Sequence, residues 1–170
     1  MHATLDNILS EQGSKSDLFF LVCDEIQDPH NLGALIRTAA AVKADAVIIP
    51  KRRSAPITPT VDKVSVGTTK QMRICQVPNI HHAILKLKEY QIFVIGLDMQ
   101  GKKSIFDVAL MGPLALVLGN EGEGMRRMVR ESCDDIVYIP MPGTIESLNV
   151  SVAGGIAMYE VLRQRLLQKS

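Results

Sequence analysis

Apolar runs without polar alternation recur along the chain, separated by stretches of helical periodicity. Such runs predict buried strands at residues 18–23, 46–49, 72–77, 92–97, 114–118 and 136–139. The intervening stretches predict helices at residues 32–42, 59–66, 80–90, 125–133 and 148–168. Strands that are apolar on both faces and alternate with helices indicate an α/β fold, with a mainly parallel sheet and helices on both faces.

The first 17 residues have a different composition from the rest of the chain. Residues 1–17 are mixed and polar, which predicts a leader or the remnant of an interdomain linker, with one helical turn near residues 5–9. The remaining residues 18–170 are expected to form one domain, since a chain of 170 residues suits a single domain.

The last predicted helix is apolar on almost every side in its first half. A helix of this kind has to be enclosed on all sides, and a domain this small has few elements to cover it. The pair Gly154-Gly155 would permit close approach of another backbone. We therefore expect a second subunit to cover this helix in a homodimer.

Composition narrows the class of protein further. Three widely spaced cysteines in or beside apolar segments indicate reduced thiols in a cytoplasmic protein. No apolar run approaches the ~18 residues of a membrane span, so no membrane association is expected. The net charge is +1, so any nucleic-acid contact has to come from local clusters. The candidates are Lys51, Arg52 and Arg53, and a second cluster of Arg126, Arg127 and Arg130.

Three loops carry most of the polar side chains near predicted strand ends. The first, residues 24–33, contains Asn31 and leads into the helix that bears Arg37. The second, residues 118–125, is rich in glycine and acidic, and the third, residues 139–151, combines two prolines with polar side chains. Because ligands of parallel sheets bind at the carboxyl ends of strands, these loops are candidates for a binding site.

Each loop taken alone also has a plain structural interpretation. Asp28 and Asn31 suit a turn and a helix cap, and the second loop could be a flexible turn. The order G-x-x-G-x-G without lysine does not fit a phosphate loop, and Glu121 and Glu123 would repel a pyrophosphate. A cationic or neutral ligand suits this loop better. The histidines show no ligand spacing, so no metal site is expected.

Together the three loops strongly resemble the SpoU (TrmH-like) family of S-adenosylmethionine-dependent RNA ribose 2′-O-methyltransferases, in the SPOUT superfamily. The matching motifs are D-P-H-N-L-G-A-L-I-R-T-A at residues 28–39, L-V-L-G-N-E-G-E-G-M at 116–125 and I-P-M-P-G-T-I-E-S-L-N-V-S-V-A at 139–153. Residues 51–61 also look like the branch that methylates guanosine in 23S ribosomal RNA. The resemblance covers about residues 18–166.

The resemblance implies a C-terminal trefoil knot, a homodimer, S-adenosylmethionine as cofactor and no metal. It makes residues 18–170 the methyltransferase catalytic domain. It implies a catalytic set of Asn31, Arg37, Glu121, Ser147 and Asn149. Cofactor contacts are implied for Leu97, Gly119, Ile139, Met141 and Leu148, and RNA contacts are expected from Lys51, Arg52, Arg53, Arg126 and Arg127.

The role of Arg37 in such a site needs a physical argument. In the family that the chain resembles, this arginine is often assigned as the general base. A guanidinium, however, stays protonated at neutral pH. We therefore expect Arg37 to bind an RNA phosphate and to stabilise the developing alkoxide. Glu121 would then orient Arg37 or accept a hydrogen bond from the ribose, and a water or a phosphate oxygen could take the proton.

Two other functions remain compatible with the same residues. One is ribose methylation of transfer RNA, and the other is a non-catalytic RNA-binding or ribosome-assembly module of the same fold. A nucleotide-dependent oxidoreductase is poorly supported, since no G-x-G-x-x-G follows the first strand.

Overall fold

The sheet at the centre of the chain has seven strands, all parallel, in the order β3-β2-β1-β6-β4-β7-β5. The structure is a computed structural model, and it describes residues 3–169. The strands are β1 (Phe19–Cys23), β2 (Ala46–Pro50), β3 (Ile74–Val77), β4 (Phe93–Leu97), β5 (Lys103–Ser104), β6 (Leu114–Leu118) and β7 (Asp135–Tyr138). The predicted α/β architecture with a mainly parallel sheet is confirmed.

Six α-helices cover the two faces of the sheet in the described part of the chain. They are α1 (Leu5–Gln12), α2 (Pro29–Ala41), α3 (Pro59–Val64), α4 (Ile80–Glu89), α5 (Arg127–Ser132) and α6 (Val150–Gln168). Helices α2, α3 and α6 share one hydrophobic core with one face of β1, β2 and β6. Helices α1, α4 and α5 share a second core with the opposite face. This double cover explains why the strands are apolar on both faces.

Three helices begin at other residues than the sequence predicts, and one of them is α5, which begins at Arg127 and not at residue 125. Helix α2 begins at Pro29, and its cap is Asp28, whose carboxylate accepts the backbone N–H of His30 at 2.8 Å. Asn31 therefore lies in the first turn and is not the cap. Proline at the first helical position leaves no unsatisfied N–H, which favours the earlier start. Helix α6 begins at Val150 after the cap Asn149, two residues later than predicted.

Part of the expected polar leader, residues 5–12, forms helix α1. Helix α1 is two turns long, not one, and Leu5, Ile8 and Leu9 are buried in the second core. Its cap Thr4 accepts the backbone N–H of Asn7. Residues 1–2 of the expected leader and Ser170 of the expected domain lie outside the described residues.

Strand β5 is absent from the sequence-based predictions. Lys103 and Ser104 pair with Val137 and Tyr138 at the edge of the sheet. A strand of two residues has no apolar run, so periodicity cannot reveal it. It nevertheless places β7 inside the sheet, between β4 and β5.

Helix α6 is buried on one side only. Ala157, Met158 and Val161 pack in the first core, and Gly154 lies so close to Leu35 that a Cβ there would be 2.5 Å from its Cδ2. The opposite side exposes about half of the surface of Val152, Tyr159 and Leu166. An apolar surface of this kind on a single chain is a candidate contact surface.

None of the helices in residues 3–169 has the length and apolarity of a bilayer span.

Candidate active site

A cavity of about 570 Å³ lies where the carboxyl ends of β4, β6 and β7 meet. Its walls come from the segments after these strands and from the start of α6. Parallel strands end at the same edge of the sheet, so the segments after β4, β6 and β7 converge although they are distant in sequence. All five residues expected to contact a cofactor line this cavity: Leu97, Gly119, Ile139, Met141 and Leu148.

The loop after β6, residues 119–125, closes tightly on itself. The backbone groups of Asn120 and Gly124 exchange two hydrogen bonds of 3.0 Å. A Cβ at Gly119 would lie 2.2 Å from the carbonyl carbon of Gly124 and from the backbone nitrogen of Met125. No side chain fits there, so glycine is required by close backbone approach. The chain at Gly119 therefore meets the cavity with bare backbone.

Glu121 ties this loop to the loop after β1. Its carboxylate accepts the backbone N–H groups of Gln27 and Asp28, at 3.1 and 2.9 Å, and the Asn31 side-chain amide at 3.4 Å. Next to it, the Asn120 amide donates to the Glu25 carbonyl at 2.8 Å. The second loop thus fixes the backbone of the first through two adjacent side chains.

Asn31 continues this connection into the third loop. Its side-chain oxygen accepts a hydrogen bond of 3.1 Å from the Asn149 amide. The oxygen of Asn149 caps α6 by accepting the backbone N–H of Ser151 at 2.9 Å. Three of the five residues predicted to be catalytic (Asn31, Glu121 and Asn149) therefore form one hydrogen-bonded chain at the edge of the cavity.

The two remaining members of the predicted catalytic set are placed differently. Ser147 lines the cavity and is exposed. Arg37 lies two turns into α2, is exposed and does not line the cavity. Its guanidinium makes no hydrogen bond or ion pair with residues 3–169 and is free to bind an anion.

Arg126 has a partner that the sequence does not reveal. Its guanidinium binds Asp24 through Nε and NH2, at 3.0 and 2.8 Å, and its backbone N–H donates to the same carboxylate. Asp24 is completely buried. Hydrogen bonds to this carboxylate raise the pKa of Arg126. RNA contact by Arg126 stays a prediction, but its guanidinium is already bound. In the sequence, the one sign of this ion pair is an aspartate, Asp24, directly after a buried strand.

A second ion pair lies in the wall of the cavity. Arg130 NH1 donates to Asp98 Oδ2 at 2.7 Å, and the other oxygen of Asp98 accepts the backbone N–H of Gln100. Both charged residues line the cavity together with Glu123. The sequence had assigned no role to Asp98, and it had used Glu123 only as part of an acidic loop that disfavours a pyrophosphate.

The remaining basic candidates are exposed, three of them on the loop after β2 and Arg127 at the start of α5. Lys51 and Arg52 follow β2 at the same edge of the sheet as the cavity. Arg53 approaches Glu25 at 4.0 Å, and Arg127 pairs with Glu131 at 2.9 Å on the surface. The Arg127 pair is fully exposed and therefore weak, and the Arg53 pair is long, so both cations stay available to a nucleic acid. Among residues 3–169 no group of histidines, cysteines and carboxylates could hold a metal ion.

The fold and the convergent loops define an α/β protein with a ligand site at a sheet edge, and sequence comparison specifies the family. The model of the SpoU rRNA Methylase family matches residues 18–159. The chain belongs to this family.

Individual relatives agree with this membership. The 23S rRNA (guanosine-2′-O-)-methyltransferase RlmB of Vibrio vulnificus is 45% identical over 162 residues, covering 95% of this chain and 64% of the relative. The protein of the same name from Neisseria meningitidis is 46% identical, over 98% of this chain and 66% of its own length. The chain thus spans slightly less than two thirds of the length of these relatives.

Solved structures share the fold. The SpoU methyltransferase AviRb from Streptomyces viridochromogenes, in complex with AdoMet, superposes with a TM-score of 0.88 at 28% identity, covering 98% of this chain and 66% of that one. The TrmH/SpoU tRNA modifying enzyme of A. aeolicus gives a TM-score of 0.82 at 27% identity, covering 97% of this chain and 84% of that one.

Proposed function

We propose that this chain transfers a methyl group from S-adenosylmethionine to a ribose 2′-hydroxyl in RNA, and that the target is a guanosine of 23S ribosomal RNA. The methyltransferases named among its relatives support this assignment. The observation that carries it is the hydrogen-bonded chain of Glu121, Asn31 and Asn149, which joins three distant loops beside one cavity. Residues 18–170 would be the catalytic domain, preceded by residues 1–17.

The cavity suits S-adenosylmethionine chemically. Leu97, Ile139 and Leu148 offer apolar walls for an adenine ring, and the tight turn at Gly119 exposes backbone groups. The acidic loop after β6 suits a positively charged ligand. When bound, this cofactor supplies a methyl group on a positively charged sulfur. The AdoMet complex of the similar AviRb structure supports this choice.

Arg37 would act on the RNA and not on the cofactor. It lies outside the cavity and has no bound carboxylate, so its guanidinium can hold a phosphate of the target nucleotide and stabilise a developing alkoxide. Asn31 and Asn149 would orient the 2′-hydroxyl, with Ser147 at the cavity wall close by. Glu121 already accepts three hydrogen bonds, so the hydroxyl proton would leave to water or to a phosphate oxygen.

The exposed cations would hold the rest of the RNA. Lys51, Arg52 and Arg53 lie on one loop, and Arg127 is the first residue of α5; all four lie near the edge of the sheet that carries the cavity. Contacts of this kind bind phosphates without reading sequence. The choice of guanosine would then depend on the shape of the folded RNA.

A homodimer and a trefoil knot complete the proposal. The exposed apolar side chains of α6, Val152, Tyr159 and Leu166, support a second subunit packed there. The order of the sheet supports a knot, since β6 lies between β1 and β4 and β7 lies between β4 and β5. The segment of residues 139–149 would pass through the loop formed by the preceding strands. The three unpaired cysteines suit a cytoplasmic protein.

Replacing Arg37 by Ala tests the enzyme against the non-catalytic alternative. The protein is incubated with labelled S-adenosylmethionine and RNA from a strain lacking it, and ribose methylation is then mapped. Wild-type protein should label one guanosine of 23S RNA, and Arg37→Ala should reduce the rate by about 100-fold while largely keeping RNA binding. Absence of wild-type labelling on every RNA would refute the enzymatic function.

Transfer RNA is the second candidate substrate. The similar structure from A. aeolicus is a tRNA modifying enzyme and covers most of both chains. The same labelling experiment with separated transfer and ribosomal RNA distinguishes the two. Label in transfer RNA alone would refute the ribosomal target and leave the chemistry unchanged.

A further inference from the structure

Four charged side chains line the candidate cofactor cavity, and three of them have partners. Asp98 is neutralised by Arg130, with 2.7 Å between oxygen and nitrogen. Glu121 is bound to two backbone N–H groups and to the Asn31 amide. Glu123 is the fourth, and no cation binds its carboxylate among residues 3–169.

The position of Glu123 is fixed through its backbone. The side-chain oxygen of Asn120 accepts the N–H groups of both Gly122 and Glu123, at 2.8 and 3.3 Å. These bonds hold the turn of the second loop against the cavity. Residue Glu123 therefore lies at the cavity wall, and its side chain is exposed to solvent. Among the described residues that line the cavity, three are carboxylates and Arg130 is the only cation. The net charge of the cavity lining is therefore negative.

We infer that Glu123 makes this cavity select the positively charged methyl donor over the spent product. This inference rests on the proposed function. S-adenosylmethionine carries a positive charge on sulfur, and S-adenosylhomocysteine is neutral at the same atom. Both have the same adenosine and the same amino-acid end and differ only in the methyl group and the charge at sulfur. Contacts to the shared parts therefore cancel in the ratio of their dissociation constants, and the methyl contribution cancels when this ratio is compared between wild type and a variant. A carboxylate near the sulfur attracts the sulfonium of the donor and finds no positive charge at the sulfur of the product.

Such selectivity would speed turnover. A site that binds donor and product equally well retains the product and is inhibited by it. Loss of the positive charge during the reaction weakens the attraction to Glu123 and favours product release. For an exposed carboxylate the effect is small, roughly two- to fivefold in the affinity ratio, because solvent screens the charge.

Calorimetry with three ligands tests this role. The ligands are S-adenosylmethionine, S-adenosylhomocysteine and sinefungin, in which a protonated amine takes the place of the sulfonium. In the wild-type protein both charged ligands should bind more tightly than S-adenosylhomocysteine. Glu123→Gln should reduce both ratios by roughly two- to fivefold at low salt, with little change in the affinity for S-adenosylhomocysteine.

Glu146→Gln is the matched control. Glu146 is an exposed carboxylate on the third loop and does not line the cavity, so its replacement should leave both ratios unchanged. Ratios that are the same in wild type and Glu123→Gln would overturn the inference while leaving the proposed function intact. Equal weakening of all three ligands would overturn it too, since that result indicates a steric role. If the wild-type protein binds none of the ligands, the proposed function itself is refuted, and the inference with it.

Discussion

The Asn149 side-chain amide donates a 3.1 Å hydrogen bond to the side-chain oxygen of Asn31, although 118 positions separate the two residues. One oxygen-to-nitrogen contact thus connects the cap of α6 to the first turn of α2. Since Asn31 also donates to Glu121, the three side chains link the loops after β1, β6 and β7. These hydrogen bonds hold three segments that are distant in sequence beside the same cavity.

Asn149→Asp should separate catalysis from stability. An aspartate caps a helix as well as asparagine, so the free energy of unfolding should hardly change. A carboxylate cannot donate to Asn31, so the loops lose their relative position and methyl transfer should fall by about 10- to 100-fold. Thermal unfolding and initial rates measure the two effects. Asn149→Ala is the comparison, because it should also lose about 1 kcal/mol of stability. Unchanged activity in Asn149→Asp would contradict the role of the hydrogen bond.

Arg126→Met should destabilise the protein strongly. It removes the guanidinium from Asp24, which is completely buried, and leaves an uncompensated charge in the core. We expect a loss of about 3 kcal/mol in the free energy of unfolding, measured by urea denaturation.

Two variants control this result. Arg127→Ala removes a neighbouring arginine whose partner Glu131 is exposed, so stability should stay within about 0.5 kcal/mol. The double variant Asp24→Asn with Arg126→Met removes both charges and should recover part of the loss. If Arg126→Met is as stable as wild type, Arg126 is available for RNA after all.

Lys51→Ala and Arg52→Ala should weaken RNA binding without changing the methylated site. Each removes one phosphate contact, so the dependence of the logarithm of affinity on the logarithm of salt should fall by about one unit. Lys43 is an exposed lysine that precedes β2, at the opposite edge of the sheet, and Lys43→Ala should bind RNA like wild type. An equal loss in all three variants would indicate a general charge effect.

The strands show what sequence pattern can establish. β1 and β6 lie within one residue of their predicted limits, because burial on both faces requires an uninterrupted apolar run. The start of α2 was predicted three residues late, since two residues near it, Asp28 and Asn31, can both cap a helix and local pattern does not rank them. Strand β5 is too short to have a pattern at all.

Contacts within the candidate site could not be predicted from the sequence. Leu97 and Ile139 line the cavity as expected, but their cofactor role came from resemblance and not from periodicity. The contact of Asn31 with Asn149 joins distant positions, and no local signal encodes it. For Arg126, the basic cluster suggested RNA, whereas the deciding fact is a buried carboxylate that only the fold brings near.

Gly119→Ala should weaken the binding of S-adenosylmethionine. The added Cβ would overlap the backbone of Gly124 and Met125, which cannot move without opening the loop. We expect the affinity measured by calorimetry to fall by more than about tenfold, a change of about 1.4 kcal/mol. Gly143→Ala on the third loop meets no atom within 4 Å, so it should bind like wild type. Equal affinity in both variants would contradict the tight turn.

Cys23 should make the protein lose stability at alkaline pH. Burial raises the pKa of the Cys23 thiol from 9.0 to about 12, and the charges of Glu121 and Asp24 add to this shift. The folded state therefore holds a proton that the unfolded state releases, so the contribution is complete below pH 9 and is lost as pH rises towards 12. The free energy of unfolding should decline by up to about 1.4 kcal/mol per pH unit relative to Cys23→Ala. The variant is a necessary reference because burial also raises the pKa of Cys133 to about 12. Parallel curves for the two proteins from pH 8 to 11 would show that the Cys23 thiol ionises as readily in the folded chain as in the unfolded one.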